Sequence, residues 1–204
     1  NVNFLNDTTI MVSVDNATAT LDRVVSTDII TGTSSSPSNY ILNVNLTAAP
    51  MRGLAKLTSG NILIAESSVG AVENFTSAGV RVTTGGWPLS LQTTATDLKA
   101  LSNGGFILCS TGTDVVRTYN SAGTQLYTVS SGIGATTDAM SCDVSGNGSG
   151  TVAVAWNGTT DTIRVYADST LATVRWSYSN TTLMPNPVAL AYRPNGNLLV
   201  VDGT

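Results

Sequence analysis

The sequence predicts an all-β fold: a β-propeller of four-stranded antiparallel blades, with about four and a half blades present in the chain. Three observations carry this reading. A Gly turn followed by four or five apolar residues recurs four times, on Gly60, Gly104, Gly150 and Gly196, at spacings of 44, 46 and 46 residues. Each period holds four short apolar or β-branched runs separated by Gly, Asn, Ser and Asp turns, the pattern of an antiparallel meander. One meander cannot bury both of its faces, so copies must stack, and this period is that of a propeller blade. No window shows the apolar spacing of an amphipathic helix.

The elements follow in order. The first repeat, 2–49, has a weaker turn copy in Asn6-Asp-Thr-Thr-Ile-Met-Val-Ser13, and its insert Thr31-Gly-Thr-Ser-Ser-Ser-Pro-Ser-Asn39 predicts a projecting loop. The second, 50–96, reads Gly53-Leu-Ala-Lys-Leu57, then Ile62-Leu-Ile-Ala65, Val72-Glu-Asn-Phe75 and an outer run Val80-Arg-Val82. The third, 97–137, repeats this with Asp97-Leu-Lys-Ala-Leu101, Phe106-Ile-Leu-Cys109, Val116-Arg-Thr-Tyr119 and Leu126-Tyr-Thr-Val129. The fourth, 138–186, carries Val152-Ala-Val-Ala155, Ile163-Arg-Val-Tyr166 and Ala172-Thr-Val-Arg-Trp176. The fifth, 187–204, is partial and stops after its second strand. Phe75, Tyr119 and Tyr166 share one column, which marks them as blade-interface core. An unclosed ring exposes strand edges. The chain is therefore expected to be a fragment, its ring completed by residues outside this sequence or by another chain.

The fifth repeat, Val188-Ala-Leu-Ala-Tyr-Arg-Pro-Asn-Gly-Asn-Leu-Leu-Val-Val-Asp202, resembles the core of an NHL-type blade. That family favours an apolar strand, an Asn-Gly-Asn turn, a second apolar strand and an acid. The resemblance implies architecture; such repeats serve many functions.

Composition narrows the chemistry. The 204 residues carry 9 Lys+Arg against 13 Asp+Glu and no His, and Thr, Ser, Asn and Gly supply 89 of them. The absence of histidine excludes Ser-His-Asp and Cys-His nucleophile systems and imidazole ligands. The net charge of -4 argues against nucleic acid as a partner, and no apolar run approaches the length for membrane insertion. The chain opens on Asn1 without a signal peptide, which points to processing or excision from a longer protein. Cys109 and Cys142 fit a single disulfide or two buried thiols equally well. Seven Asn-X-Ser/Thr sequons occur, at Asn6, Asn16, Asn45, Asn74, Asn147, Asn157 and Asn180.

Two sets of residues are candidates for a site. The position six residues after each turn Gly holds Glu66, Ser110, Trp156 and Asp202, with Asp15 equivalent in the first repeat. With Asn157 as the amide, Glu66, Asp202 and Asp15 form a set similar to the one lactonase-type propellers place around a divalent ion, and its oxygens suit calcium. The competing reading makes these acids turn caps. Asp143-Val-Ser-Gly-Asn-Gly-Ser-Gly-Thr151 resembles a calcium loop but lacks its later carboxylates, so it predicts a hairpin turn. The second set is aromatic: Trp87, in the loop Gly85-Gly-Trp-Pro88, and Trp156 and Tyr178, near strand ends, could stack on sugars or anchor a protein.

The favoured expectation is a non-catalytic recognition or adhesion module at the cell surface or outside the cell, binding a glycan or protein ligand through its loops and needing no cofactor. One alternative is a metal-dependent hydrolase of lactone or ester type. The other is a structural spacer of a larger surface protein.

Overall fold

In a computed structural model the described backbone comprises residues 2–6, 9–14, 23–28, 34–35 and 51–203, apart from 67–69, 92–93, 112–114, 131–137, 147–149 and 181. Side chains are described from Met51 onward. Asp15 and most of the 31–39 insert lie outside the described residues; within that insert Ser34–Ser35 is a strand.

The first sheet holds β1 (Val2–Asn6), β2 (Thr9–Val14), β3 (Arg23–Asp28) and β4 (Ser34–Ser35). The second holds β5 (Met51–Lys56), β6 (Ile62–Glu66), β7 (Ala71–Phe75) and β8 (Leu89–Ser90). The third holds β9 (Thr94–Ala100), β10 (Phe106–Thr111), β11 (Val115–Tyr119) and β12 (Gln125–Ser130). The fourth holds β13 (Asp138–Val144), β14 (Val152–Asn157), β15 (Thr162–Tyr166) and β16 (Val174–Tyr178), and β17 (Pro187–Tyr192) pairs with β18 (Leu198–Asp202). Each sheet is an antiparallel meander in chain order, so four blades and the inner half of a fifth are present. Among the described residues there is no helix. The third sheet starts at Thr94, ahead of the expected boundary at 97.

The recurring turn explains the recurring glycine. Gly60, Gly104 and Gly196 all have φ between 85 and 88°, a region that costs a side chain but not glycine. Their amides donate to the carbonyls of Leu57, Leu101 and Arg193, closing one identical turn three times. The next turn also uses glycine, at Gly79 and Gly123, but the fourth sheet puts Leu171 there at φ 59°. The Leu171 side chain is 4% exposed and joins the core between the third and fourth sheets, which holds its backbone in place. Leu171→Gly relieves about 1–2 kcal/mol of backbone strain but removes a buried leucine worth about 2–5 kcal/mol. A net loss of about 1–3 kcal/mol is expected in urea unfolding.

The core lies in the seams between sheets. Ala55, Leu63 and Val72 of the second sheet meet Leu98, Phe106 and Tyr119 of the third. Ile107, Cys109 and Val116 of the third meet Cys142, Val154, Trp156 and Tyr166 of the fourth. Phe75, Tyr119 and Tyr166 are 1%, 6% and 0% exposed, as their shared column predicts. Cys109 and Cys142 are free thiols facing each other across the second of these seams, and burial pushes both up in pKa.

The second sheet departs from the expected pattern. Of its expected outer run Val80-Arg-Val82, Arg81 forms one isolated bridge, to Phe75, and the outer strand resumes only at Leu89. Between them the chain turns inward through Gly85 and Gly86 and seats Trp87 in the seam.

Candidate site at the inner-strand bulges

The inner strands pack against one another in sequence, β5 on β9, β9 on β13 and β13 on β17. Each carries one bulge at the same register. The pairing skips Arg52 in β5, Thr96 in β9, Met140 in β13 and Val188 in β17. A bulged residue leaves the ladder and is re-aimed out of the pleat. All four line one cavity of about 420 Å³, together with Thr94, Ala95 and Thr111. The cavity lies near the starts of β5, β9, β13 and β17.

Its lining is chemically simple. Among the described residues Arg52 is the only charged one on it, and no carboxylate pairs with its guanidinium. The Thr96 hydroxyl donates to the Ala139 carbonyl, which leaves its oxygen able to accept. Thr94 and Thr111 add two more hydroxyls, while Met140, Val188 and Ala95 supply an apolar wall. A guanidinium with threonine hydroxyls matches a carboxylate, a phosphate or a polyol.

The acid that follows Thr96 in the chain is committed elsewhere. Asp97 accepts hydrogen bonds from Leu98 N at 2.8 Å, Ser141 Oγ at 2.7 Å and Cys142 N at 3.2 Å, with Lys99 Nζ at 3.7 Å. Ser141 Oγ in turn accepts from Leu190 N at 3.2 Å, so one relay ties the third, fourth and fifth sheets. Burial raises the Asp97 pKa, against the opposing pull of Lys99 and these hydrogen bonds.

The sequence candidates fall in other places. Trp87 and Trp156 do not present the exposed faces expected of them. Trp87 is 6% exposed, its ring 6.0 Å from Phe106, which stacks on Tyr119 at 4.8 Å. Trp156 is completely buried between the third and fourth sheets. An indole buries more apolar area in a seam than any other side chain, and the Gly85-Gly86 turn gives Trp87 the reach to enter one. Tyr178 is at the surface, its ring parallel to that of Trp176 at 5.9 Å.

The acid column is a real structural column. Glu66, Ser110, Trp156 and Asp202 pair with Met51, Ala95, Ala139 and Pro187, each just before a bulge. Glu66 is fully buried in the second sheet. Asn157 Nδ2 donates to Asn186 Oδ1, and Asn186 N donates to Asp202 Oδ2 at 3.4 Å, so these two candidates share one bridging residue. Among the described residues no three Asp, Glu or Cys side chains gather as a metal-holding group. Asp143, first residue of the calcium-like loop, accepts from Tyr192 N at 2.6 Å, and Ser145 N donates to Thr151 O as in the other repeat turns. The sequon residue Asn74 is buried and accepts from Asn61 Nδ2.

Sequence reasoning missed Arg52, Thr96, Met140 and Val188, which share no side-chain type. A signal existed in the expected inner runs, which begin at or beside each bulge (Gly53, Asp97, Val188) because the bulge breaks the alternation.

No family model and no curated protein matches the chain. Solved structures do. A candidate 6-phosphogluconolactonase from Bacteroides uniformis superposes with a TM-score of 0.68 at 14% identity, over 98% of this chain and 62% of that one. The WD40 β-propeller domain of Doa1 gives 0.64 at 14%, over 98% and 58%. A streptogramin B lyase gives 0.58 at 12%, over 74% and 48%. At these identities the likeness is one of fold. The chain spans less than two thirds of each of these structures, and its four-stranded antiparallel blades are those of a β-propeller.

Proposed function

We propose that the chain is a non-catalytic recognition module, displayed at or beyond the cell surface, that takes an acid-bearing glycan in the bulge-lined cavity. The repeat is read as NHL-like on the strength of its Pro194-Asn-Gly-Asn turn. The observation that carries the function is the bulge-built cavity, with one guanidinium, three threonine hydroxyls and an apolar wall. A guanidinium stays protonated at any physiological pH, and among the described residues lining the cavity there is no carboxylate to serve these threonines as a base, so the lining supports binding better than turnover. The volume of about 420 Å³ suits a small ligand or the end of a chain.

The test compares glucuronate with glucose by calorimetry, on the wild type and on Arg52→Gln. A charge-assisted hydrogen bond contributes about 1.5–3 kcal/mol, so the variant should bind glucuronate about 10- to 150-fold more weakly. Arg52 is exposed, so unfolding should stay within about 0.5 kcal/mol of wild type. Equal glucuronate affinity in both proteins, or none in either, would sink the reading.

A hydrolase is the second reading, supported by two neighbours from Bacteroides uniformis and Bacteroides fragilis named as candidate 6-phosphogluconolactonases. Arg52 would then hold a phosphate or carboxylate, with Glu66, Asn157 and Asp202 left as candidate calcium ligands. Lactone opening followed by acid release distinguishes it: turnover that needs calcium and is lost in Glu66→Gln supports it, and an inert protein removes it. A protein inert to sugars and lactones alike is what a structural spacer predicts.

A further inference from the structure

The bulge-lined cavity is sorted by polarity, and the order follows the sheets. The inner strands pack in sequence, so their bulged residues succeed one another as Arg52, Thr96, Met140 and Val188. A cation comes first. The third sheet follows with hydroxyls, Thr96 being joined by Thr94 and Thr111, which lie opposite each other in the β9–β10 pairing. Met140 and Val188, from the fourth and fifth sheets, end the series with a thioether and an isopropyl group.

Local packing holds this order. A Cβ on Gly53 would stand 2.5 Å from that of Leu98, so glycine is what lets β5 approach β9 closely beside Arg52. The Thr96 hydroxyl donates to the carbonyl of Ala139, the residue before Met140, which ties the hydroxyl row to the apolar wall. At the far end a Cβ on Gly203 would stand 2.7 Å from Cγ1 of Val188, so the valine lies directly over bare backbone.

A matching ligand offers an anion to Arg52, hydroxyls to the threonines and an apolar group to Met140 and Val188. Around the ring of a uronic acid β-glycoside the carboxylate, the free hydroxyls and the anomeric substituent follow in that same order. Free glucuronate matches the first two parts but sets a polar anomeric hydroxyl against the apolar wall, which costs desolvation.

We propose that the cavity selects uronic acid glycosides carrying an apolar aryl or alkyl group on the anomeric oxygen, and that Met140 and Val188 set this preference. The inference rests on the acid-bearing glycan reading of the same cavity and narrows its ligand class. Methionine adapts its shape to such a group and contacts aromatic rings favourably. Valine, stiff at its first torsion, adds a fixed apolar face.

Calorimetry with glucuronate, phenyl β-D-glucuronide and phenyl β-D-glucoside tests it. The phenyl glucuronide should bind at least tenfold more tightly than glucuronate, a gain that needs burial of only about 60 Å² of apolar area. It should also bind at least tenfold more tightly than the phenyl glucoside, which offers Arg52 no anion. Met140→Gln and Val188→Thr keep side-chain size at half-buried positions that the ladder skips. Each should cut the phenyl gain at least threefold while glucuronate affinity stays within twofold of wild type, which also shows that the variant is folded. Wild type that binds glucuronate as tightly as its phenyl glycoside would overturn this inference and leave acid recognition standing. A phenyl gain kept in full by both variants would overturn it too, as would equal binding of the two phenyl glycosides. Binding of none of the three would overturn both this inference and the reading beneath it.

Discussion

Trp156→Ala is expected to lower unfolding stability by about 3–5 kcal/mol, the range for deleting a fully buried large side chain. The indole fills the seam between the third and fourth sheets with Ile107, Val116, Val154 and Tyr166, and none of its surface reaches solvent. Strands on both sides hold that seam, so the cavity cannot collapse by a small shift. In urea the midpoint should fall with an unchanged slope. The same substitution separates two roles. A residue that anchored a ligand would lose affinity with little change in stability. A seam residue loses stability, and the protein that remains folded should bind glucuronate as the wild type does. A cost below about 1 kcal/mol would mean that the indole does not fill this seam.

Asp97→Ala should cost about 2–4 kcal/mol, because it strands several donors at once. Leu98 N, Ser141 Oγ and Cys142 N all donate to this carboxylate, and Lys99 loses its counter-charge. The pH dependence has a definite sign. Burial raises the folded pKa above the ordinary carboxylate value, so near that range the folded state holds the proton more tightly than the unfolded state. The contribution of this ionisation therefore falls as pH rises from about 3.9 through the folded pKa, and is level above it. Urea titrations between pH 4 and 7 should show the wild type gaining on Asp97→Asn as the solution is acidified. A gain in the opposite direction would mean that the hydrogen bonds outweigh burial.

How far each feature was legible follows from the physics that fixed it. The blade period was legible because Gly60, Gly104 and Gly196 each meet a backbone demand that few other residues satisfy. The Phe75, Tyr119 and Tyr166 column was legible because all three copies are buried, Tyr119 and Tyr166 each in the seam with the preceding sheet. Trp87 was not. Whether a loop tryptophan points outward or folds into a seam depends on Gly123 and Phe106, far along the chain, leaving it room. The short outer strand of the second sheet has the same cause, since seating Trp87 diverts the chain before Leu89. The cavity was least legible, because a bulge is defined by the partner strand and Arg52, Thr96, Met140 and Val188 obey no common side-chain rule.

That lack of a rule has a consequence for how such a protein can change. A bulged side chain is excused from the cross-strand pairing that constrains its neighbours. Arg52, Met140 and Val188 each come from a different sheet, so each can be exchanged without repacking the others. The scaffold thereby separates heritable variation in what is bound from variation in whether the chain folds. A small library over these three positions should move ligand preference between acidic, neutral and apolar groups while the urea midpoint stays within the spread of ordinary surface substitutions.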